Sequence, residues 1–300
     1  IPIIQTISSN FSNEKITSIV GIINGTSNFI LHKMSTTNCD LQSALEEAQK
    51  LGYAEADPSF DINGMDAAHK ISILAALAFG IKPPLNQTNV EGIESITAMD
   101  ISYANELGYI IKHVGITEIS DDLVHASVHP VLVASNNIFS QVSNEMNAVI
   151  VKGERFGHTM LYGHGAGGNA TASAVVSDLV SAINHMTYSK SSYAQMVETV
   201  GQKSYKIESQ DNIKSQYYLR IFADDVPGVM AEITNKLAEK EISIEAVTQH
   251  EATDANSPIP IVIITNNVRD ILIKDVIRDI EKMKNTRDKV SSIRILSNDK

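Results

Sequence analysis

The chain has 300 residues, 43% of them hydrophobic, and its 35 acidic and 24 basic residues give a formal net charge of -11. This length and composition suggest two domains with packed cores. No Lys/Arg cluster is long enough to follow a phosphate backbone, which argues against nucleic acid as a partner. No apolar run approaches the roughly 18 residues of a membrane span, and the N-terminus lacks a signal-peptide pattern, so neither a membrane nor secretion is expected.

Cysteine and histidine usage narrows the class further. Cys39 is the only cysteine, which excludes a disulfide framework and a cysteine-rich metal site and fits a reducing compartment. We therefore expect a cytoplasmic protein. The nine histidines are scattered and none lies in an HExxH motif, so structural roles are favoured over a catalytic transition metal.

The first third of the chain predicts a strand and three helices. Residues 14–23 are rich in β-branched side chains and predict a strand, after which a helix runs toward Met34 with Asn24 or Thr26 as its cap. A second helix begins at Asp40 and ends near Gly52. Apolar residues at helical spacing predict a third helix over residues 65–79.

The middle third predicts a sheet followed by a long helix. Strand-like runs recur at 108–116, 123–129, 147–151 and 159–162, and a sheet with helices on one face is the expected core. Residues 171–187 are small and apolar at helical spacing. Five of them are expected on the buried side of that helix, namely Ala172, Val175, Val176, Leu179 and Ile183.

The last third predicts a separate small domain. Residues 189–215 are polar without sustained periodicity and read as a linker. The following elements are predicted to be two helices and four strands in the order β-α-β-β-α-β, which is a ferredoxin-like unit. The strands lie at 217–223, 242–250, 259–265 and 290–296, and the helices at 227–240 and 269–283. We expect domains at 1–190 and 216–300, joined by a linker at 191–215.

The segment richest in possible chemistry is residues 51–70, which read LGYAEADPSFDINGMDAAHK. Pro58 and Gly64 interrupt regular structure on either side of Asp61, so the carboxylates gather at a helix N-terminus. Asp66 and Lys70 are four residues apart and share one face of that helix. An acid, a base and a cation can converge there. The alternative is a surface salt bridge with a helix-capping Asp.

A glycine cluster precedes the helix expected at 171–187, where residues 163–170 read GHGAGGNA. Glycines before a helix let backbone N–H groups approach an anion or a cofactor ring. The same pattern is also typical of a tight turn, and the residues themselves leave both interpretations open.

Three segments of the chain resemble homoserine dehydrogenases. Residues 51–70 match the family pattern LGYxExDP followed by Asp and then by (N/E)GxDxAxK. Residues 21–30, GIINGTSNFI, are similar to a second family signature, and residues 163–178 to a third. One departure is Asn169-Ala170, where relatives commonly carry Leu-Pro. At the C-terminus, Asp225-Val226-Pro227-Gly228 in the predicted ferredoxin-like unit resembles the effector loop of ACT domains. The fold class implied is α+β.

The resemblance implies an enzyme that interconverts L-homoserine and L-aspartate 4-semialdehyde with NADP or NAD, in threonine and methionine biosynthesis. Lys70 matches the catalytic lysine, and Glu55 and Asp66 match residues that bind the substrate ammonium. Asp61 is expected to orient the same network, and Tyr53 is a candidate donor to the substrate carboxylate. The matching cofactor contacts are Gly52, Glu55, Gly165 and Gly167.

Further expectations follow from the resemblance. Relatives hold a monovalent cation, typically sodium, through main-chain oxygens, and Ile1 aligns with the last of those ligands. The family's Rossmann domain is expected upstream of residue 1, so residues 1–300 alone are expected to be inactive. A homodimer or homotetramer and an amino-acid effector such as threonine are implied. The alternative is a non-enzymatic amino-acid-binding ACT protein with a dimerising core.

Overall fold

The computed structural model describes residues 1–188, 201–250 and 258–297. Its helices are α1 (Ile3–Gln5), α2 (Gly25–Thr37), α3 (Leu41–Lys50), α4 (Ser59–Ile62), α5 (Met65–Phe79), α6 (Ala98–Glu106), α7 (Gly168–Tyr188), α8 (Val229–Glu239) and α9 (Asp270–Glu281). Its strands are β1 (Ile16–Ile22), β2 (Asn89–Val90), β3 (Tyr109–Ser120), β4 (Leu123–Ala134), β5 (Met146–Gly153), β6 (Gly157–His164), β7 (Lys206–Ile207), β8 (Lys214–Ala223), β9 (Ile244–Gln249), β10 (Ile259–Thr265), β11 (Val268–Arg269) and β12 (Thr286–Ile295).

The strands form a twelve-stranded sheet, in which nine lie on the main path in the order β6-β5-β1-β3-β4-β12-β8-β10-β9 and β2, β7 and β11 pair beside it. The first five pair antiparallel and form the sheet of the N-terminal unit. The last four, which also pair antiparallel, belong to the C-terminal unit. The two halves meet where β12 pairs parallel with β4. The sheet therefore crosses from one unit to the other.

Helices cover one face of the N-terminal half, as the sequence predicts. The apolar residues of α5 that recur at helical spacing pack with β1, β4 and β5, for example Ile71 and Leu74 against Ile19 and Val149. Helices α2, α3 and α6 pack farther along the same face. The opposite face buries a separate apolar cluster that includes Val114.

The C-terminal unit has the predicted β-α-β-β-α-β order. Helices α8 and α9 bury Val229, Ile233 and Leu237 and their counterparts on α9 against one face of its sheet. The other face, which carries Tyr218 and Val262, shares an apolar cluster with α2, α3 and α6. The small domain therefore uses both faces of its sheet, one for its own helices and one for the N-terminal unit.

A buried ion pair joins the two units at this contact. The Arg220 guanidinium on β8 donates to both carboxylate oxygens of Asp100 on α6, at 2.7 and 2.9 Å, and the Tyr218 hydroxyl adds a third hydrogen bond at 3.2 Å. Burial raises the pKa of Asp100, but the hydrogen bonds and charge of Arg220 outweigh burial and hold that pKa below its ordinary value. Asp100 therefore stays ionised inside the contact.

Helix α7 forms as predicted, but the prediction of its buried side is wrong. Val175 is 53% exposed, Val176 and Leu179 are each 59% exposed, and Ile183 is 61% exposed. Ala172 is exposed as well. Helical spacing shows which side of a helix is apolar but not what covers it. This helix follows β6, the edge strand of the sheet. None of the helices in the described ranges is long and apolar enough to cross a membrane.

The predicted linker is partly structured. Residues 191–200 lie outside the described residues, but β7 pairs parallel with β4 at Leu123 and Val124. A short 3-10 turn at Gln210–Asn212 then leads into β8. The domain boundaries themselves stay a prediction.

A buried lysine holds the segment between β4 and β5 against the sheet. Lys112 on β3 is 1% exposed, and its Nζ donates to Asn28 Oδ1 at 3.2 Å and to the Val142 carbonyl at 2.5 Å. The Asn28 amide donates to the carbonyls of Val142, Asn144 and Met146. Burial lowers the pKa of the Lys112 ammonium to about 8.

Replacing Lys112 by Met should change how stability depends on pH. The pKa of Lys112 is about 8 in the folded chain against 10.5 ordinarily, so the unfolded chain binds more protons between these values. The free energy of unfolding therefore gains a contribution that increases with pH across this window, reaching roughly 3 kcal/mol. Urea unfolding across that window should show this rise for the wild type and for Lys50→Met, an exposed control, but not for Lys112→Met. Parallel curves for all three would contradict the assignment.

Candidate active site

The end of β1 and the start of α2 place one asparagine between two carboxylates. Asn24 caps α2 through its Oδ1, which accepts from the Ser27 amide at 2.8 Å. This leaves its amide nitrogen free to point the other way, where it donates to Asp61 Oδ1 at 2.7 Å and to Asp66 Oδ2 at 2.8 Å. Asn24 is only 6% exposed. One side chain therefore closes a helix end and bridges both acids.

Lys70 completes this cluster. Its Nζ lies 2.6 Å from Asp66 Oδ2 and donates to the Ile23 carbonyl at 3.1 Å. The Lys70 side chain is 48% exposed and that of Asp66 is 22% exposed. An ammonium has three N–H donors, and the protein accepts from two of those of Lys70, which leaves one donor without a protein partner in these contacts. The structure thus brings together Asp61, Asp66 and Lys70, and the i, i+4 salt bridge of the simpler interpretation is one contact within this network.

The turn from α4 to α5 sets the position of Asp61. Ser27 Oγ donates to the Asp61 carbonyl at 3.0 Å, which ties this turn to α2. Gly64 adopts a φ of +86° as α5 begins, a conformation that a side chain would strain. A Cβ on Gly64 would also lie 3.1–3.3 Å from Val90, His113 and the Glu91 carbonyl. Val90, Glu91 and His113 therefore pack against this turn.

The remaining residues of the 51–70 segment lie outside this cluster. Glu55 is exposed, and within the described residues no hydrogen bond joins its carboxylate to Asp61, Asp66 or Lys70. Asp57 caps the turn of α4, where hydrogen bonds from Ser59 hold the pKa of its carboxyl below the ordinary value.

The loop before Glu55 is anchored to α2 and leaves open space at Gly52. Its backbone is held by Thr26, whose Oγ1 donates to the Tyr53 carbonyl at 2.7 Å. The Tyr53 ring packs against Phe29 at 5.0 Å between centroids. Gly52 has a φ of +77°, and a Cβ there would have no described atom within 4 Å, so a ligand can approach its backbone closely.

The glycine loop packs against the same helix start. A Cβ on Gly165 would lie 2.5–2.8 Å from the side chain of Asn147, and a Cβ on Gly25 would lie 2.7 Å from the Glu145 carbonyl and 3.4 Å from Asn147 Oδ1. Asn147 is 6% exposed, and its Oδ1 is buried without a hydrogen-bond partner in the described residues. Gly167 has a φ of +106° and open space around it. Asn147 therefore lies between the start of α2 and the glycine loop, whose backbone is accessible at Gly167.

The chain start lies beside this loop. The Ile1 backbone nitrogen lies 3.1 Å from the His164 carbonyl oxygen, and the Ile1 side chain lies near Gly163. Within the described residues, no group of three or more His, Cys, Asp or Glu side chains is arranged to hold a metal ion.

Comparison with known proteins agrees with this geometry. The homoserine dehydrogenase family model matches residues 2–180, and the ACT domain model matches residues 217–285. The chain belongs to the homoserine dehydrogenase family. The residues that carry the resemblance in the sequence are those that meet here, at the start of α2, the α4–α5 turn and the glycine loop.

Individual relatives extend the match over nearly the whole chain. Homoserine dehydrogenase of Pseudomonas aeruginosa is 40% identical over 297 residues, which are 98% of this chain and 68% of that protein. The crystal structure of a homoserine dehydrogenase from Thiobacillus denitrificans superposes with a TM-score of 0.91 at 39% identity, over 99% of this chain and 68% of that one. A hyperthermophilic archaeal homoserine dehydrogenase mutant in complex with NADPH matches 60% of this chain and 51% of its own, with a TM-score of 0.51 and 33% identity.

Two asparagines are the site residues that sequence reasoning misses. The sequence predicts Asn24 only as a possible cap, and no pattern singles out Asn147. The signal for Asn24 is its position inside the GIINGTSNFI block, but its two carboxylate partners are 37 and 42 residues away in sequence. No local pattern shows such contacts.

Replacing Asn24 should destabilise the fold more than removing an ordinary cap. Asn24→Ala removes a cap and two donors to partly buried carboxylates, so the free energy of unfolding should fall by about 2–3 kcal/mol. Asn24→Asp keeps the cap and the volume but places a third carboxylate beside two others, and its cost should shrink as added salt screens their repulsion. Urea unfolding at two salt concentrations measures both effects.

Asn137→Ala is the matched control, because Asn137 Oδ1 caps a 3-10 turn through the Phe139 amide at 2.9 Å and has no carboxylate partner among the described residues. Equal losses for Asn24→Ala and Asn137→Ala, or a salt-independent loss for Asn24→Asp, would mean that the bridge contributes nothing.

Proposed function

We propose that this chain supplies the substrate-binding side of an enzyme that interconverts L-homoserine and L-aspartate 4-semialdehyde with NADP or NAD. The observation that supports this proposal most directly is the Asn24–Asp61–Asp66–Lys70 cluster. It combines an ordered ammonium with two carboxylates, which are the groups that an amino-acid alcohol requires.

Lys70 is proposed to move the proton of the reacting oxygen. The nicotinamide cofactor, when bound, supplies or accepts the hydride. Reduction of the aldehyde then needs one proton at the carbonyl oxygen, and oxidation of the alcohol releases it again. Asp66 and the Ile23 carbonyl orient the Lys70 ammonium through two donors. Its third donor can therefore face the substrate oxygen without a change in the protein.

Asp61 and Asp66 are proposed to bind the substrate α-ammonium. The described hydrogen bonds from Asn24 and Lys70 use Asp61 Oδ1 and Asp66 Oδ2. Each carboxylate has a second oxygen that can accept from an ammonium. Glu55 is proposed as an additional ligand, which requires its exposed side chain to turn toward the cluster.

The cofactor is proposed to pass along the glycine loop, where Gly167 and Gly165 expose backbone, and beside Gly52 and Glu55. The fit is supported by the open space at Gly52 and Gly167, while the absence of a side chain at Gly165 lets the loop pack against Asn147. The exposed apolar side of α7 supports the proposal that the nucleotide-binding part of the complete enzyme packs there. Residues 1–300 assayed alone are accordingly proposed to lack turnover.

Three further properties are proposed from the family. A sodium ion would take the Ile1 carbonyl as one ligand, and no catalytic step depends on it here. The C-terminal unit (β8 to β12 with α8 and α9, hereafter the ACT unit) would bind an amino acid such as threonine at the loop around Pro227 and Gly228, where Val226 is 46% exposed. Association into a homodimer or homotetramer is also proposed.

Lys70→Ala should abolish most turnover of the complete enzyme. Because the lysine is proposed to act on the reacting oxygen, kcat for homoserine oxidation should fall by about 100- to 10,000-fold. Steady-state kinetics with either nicotinamide cofactor measures this, and circular dichroism shows whether the fold is kept.

Lys33→Ala is the matched control, since Lys33 also pairs with a carboxylate, Glu47 at 2.8 Å, but on another surface. Near-normal kcat in Lys70→Ala, with an intact fold, would refute the role of Lys70.

A further inference from the structure

Strand β12 brings a buried arginine of the ACT unit to the edge of β4. Arg294 lies opposite Val131 in the parallel β4–β12 pair, and its side chain is 8% exposed. Its Nη1 donates to both carboxylate oxygens of Glu91, at 3.0 and 2.9 Å, and its Nη2 donates to Asp270. Glu91 belongs to the N-terminal unit. An ion pair with its cation buried therefore joins the last strand of the ACT unit to the segment that follows β2.

The backbone of Glu91 is held on both sides of the residue. Its amide donates to the Val128 carbonyl on β4 at 2.8 Å. Its carbonyl accepts from His113 Nε2 on β3 at 2.9 Å. Glu91 thus cannot move without disturbing the sheet or the Arg294 ion pair.

The two residues after Glu91 press directly on the α4–α5 turn. A Cβ on Gly92 would lie 2.2 Å from the Ile62 carbonyl oxygen and 2.6 Å from Asn63 Cα, so the two backbones are in contact. The Ile93 amide donates to the same Ile62 carbonyl at 2.8 Å. Ile62 follows Asp61 directly. Residues 91–93 therefore pack directly against the turn that carries Asp61 and begins α5.

We propose that Glu91 is a positioning residue for the substrate site, which Arg294 of the ACT unit holds in place. The proposal rests on the proposed function, because it assigns the position of Asp61 and Asp66 to a contact made from another domain. The Arg294–Glu91 pair fixes residues 91–93, these fix the α4–α5 turn, and the turn fixes both carboxylates that face the substrate ammonium. Any change in the ACT unit that shifts β12 reaches the substrate site along this route.

Two other polar contacts join the units at a different place, on α6. Arg220 binds Asp100 at the start of α6, and His250 Nε2 lies 2.9 Å from Glu106 at its end. Both attach the ACT unit to α6 rather than to residues 91–93. General loosening of the units and loss of the Glu91 contact can therefore be separated by experiment.

Kinetics of Glu91→Gln in the complete enzyme tests the proposal. Gln keeps the length of the side chain but loses its charge, and the Glu91 side chain is 43% exposed, so the fold should survive. The contact of residues 91–93 lies at Ile62, next to Asp61, so Asp61 loses its support first, while Lys70 keeps its contacts with Asp66 and the Ile23 carbonyl. KM for homoserine should therefore rise about tenfold, with kcat and the KM for the cofactor within about twofold of the wild type.

Arg287→Gln is the matched control. Arg287 forms an exposed ion pair with Asp224 inside the ACT unit, away from residues 91–93. Its KM for homoserine should stay at the wild-type value. The double variant Glu91→Gln/Arg294→Gln should raise KM no further than the larger of the two single effects, because both changes break the same contact.

Hydrogen exchange adds a readout that does not need activity. Glu91→Gln should speed exchange of the amides at 61–64 in the complete enzyme, relative to Arg287→Gln, while exchange in α6 stays unchanged. Equal homoserine KM values for Glu91→Gln and Arg287→Gln, additive effects in the double variant, or unchanged exchange at 61–64 would each overturn the proposal. A wild-type enzyme without homoserine oxidation would instead refute the proposed function, and the exchange comparison would still decide whether Glu91 holds the turn.

Discussion

The outer edge of strand β4 is the constraint on which the rest of the molecule depends. Three short segments pair with it in parallel, β7 at Leu123–Val124, β2 at Ser127–Val128 and β12 at Val131–Leu132. An unpaired strand edge presents backbone donors and acceptors that need partners. Here those partners come from the segment before the ACT unit, from the segment that packs against the α4–α5 turn, and from the ACT unit itself. One edge therefore sets how all three lie relative to one another.

Repulsion between two carboxylates is a second constraint, and it acts in the candidate active site. Asp61 and Asp66 are held close together, and like charges at that distance repel. Asn24 donates to both carboxylates, and Lys70 adds a positive charge at 2.6 Å from Asp66. These contacts hold the cluster in one arrangement and leave carboxylate oxygens that can accept from the proposed substrate ammonium. Without the asparagine, repulsion between the two acids would favour their separation.

The ACT unit is joined to the N-terminal unit by contacts of different kinds. Apolar side chains on one face of its sheet share a cluster with α6, and this burial supplies most of the attraction. The Asp100–Arg220 pair inside that contact adds little net stability, because removing two charges from water offsets much of their attraction. A sheet face that many small domains leave to solvent or to a partner is thus occupied here by the enzyme's own helices.

Local features of the sequence by themselves determined most of the long elements, their order and the family, although α6 and the short strands β2, β7 and β11 were not predicted. Caps such as Asn24 and Asp40, the helical spacing in α5 and the alternation in the ACT strands act over a few residues, so they can be read without a structure. The grouping of Asp61, Asp66 and Lys70 was also predictable, since they lie within ten residues of one another. Only the tertiary structure decided that Asn24 bridges two carboxylates, that α7 leaves its apolar side exposed, and that Arg294 reaches Glu91. The physical reason is that each of these depends on residues far apart in the chain, which no periodicity or local motif brings together.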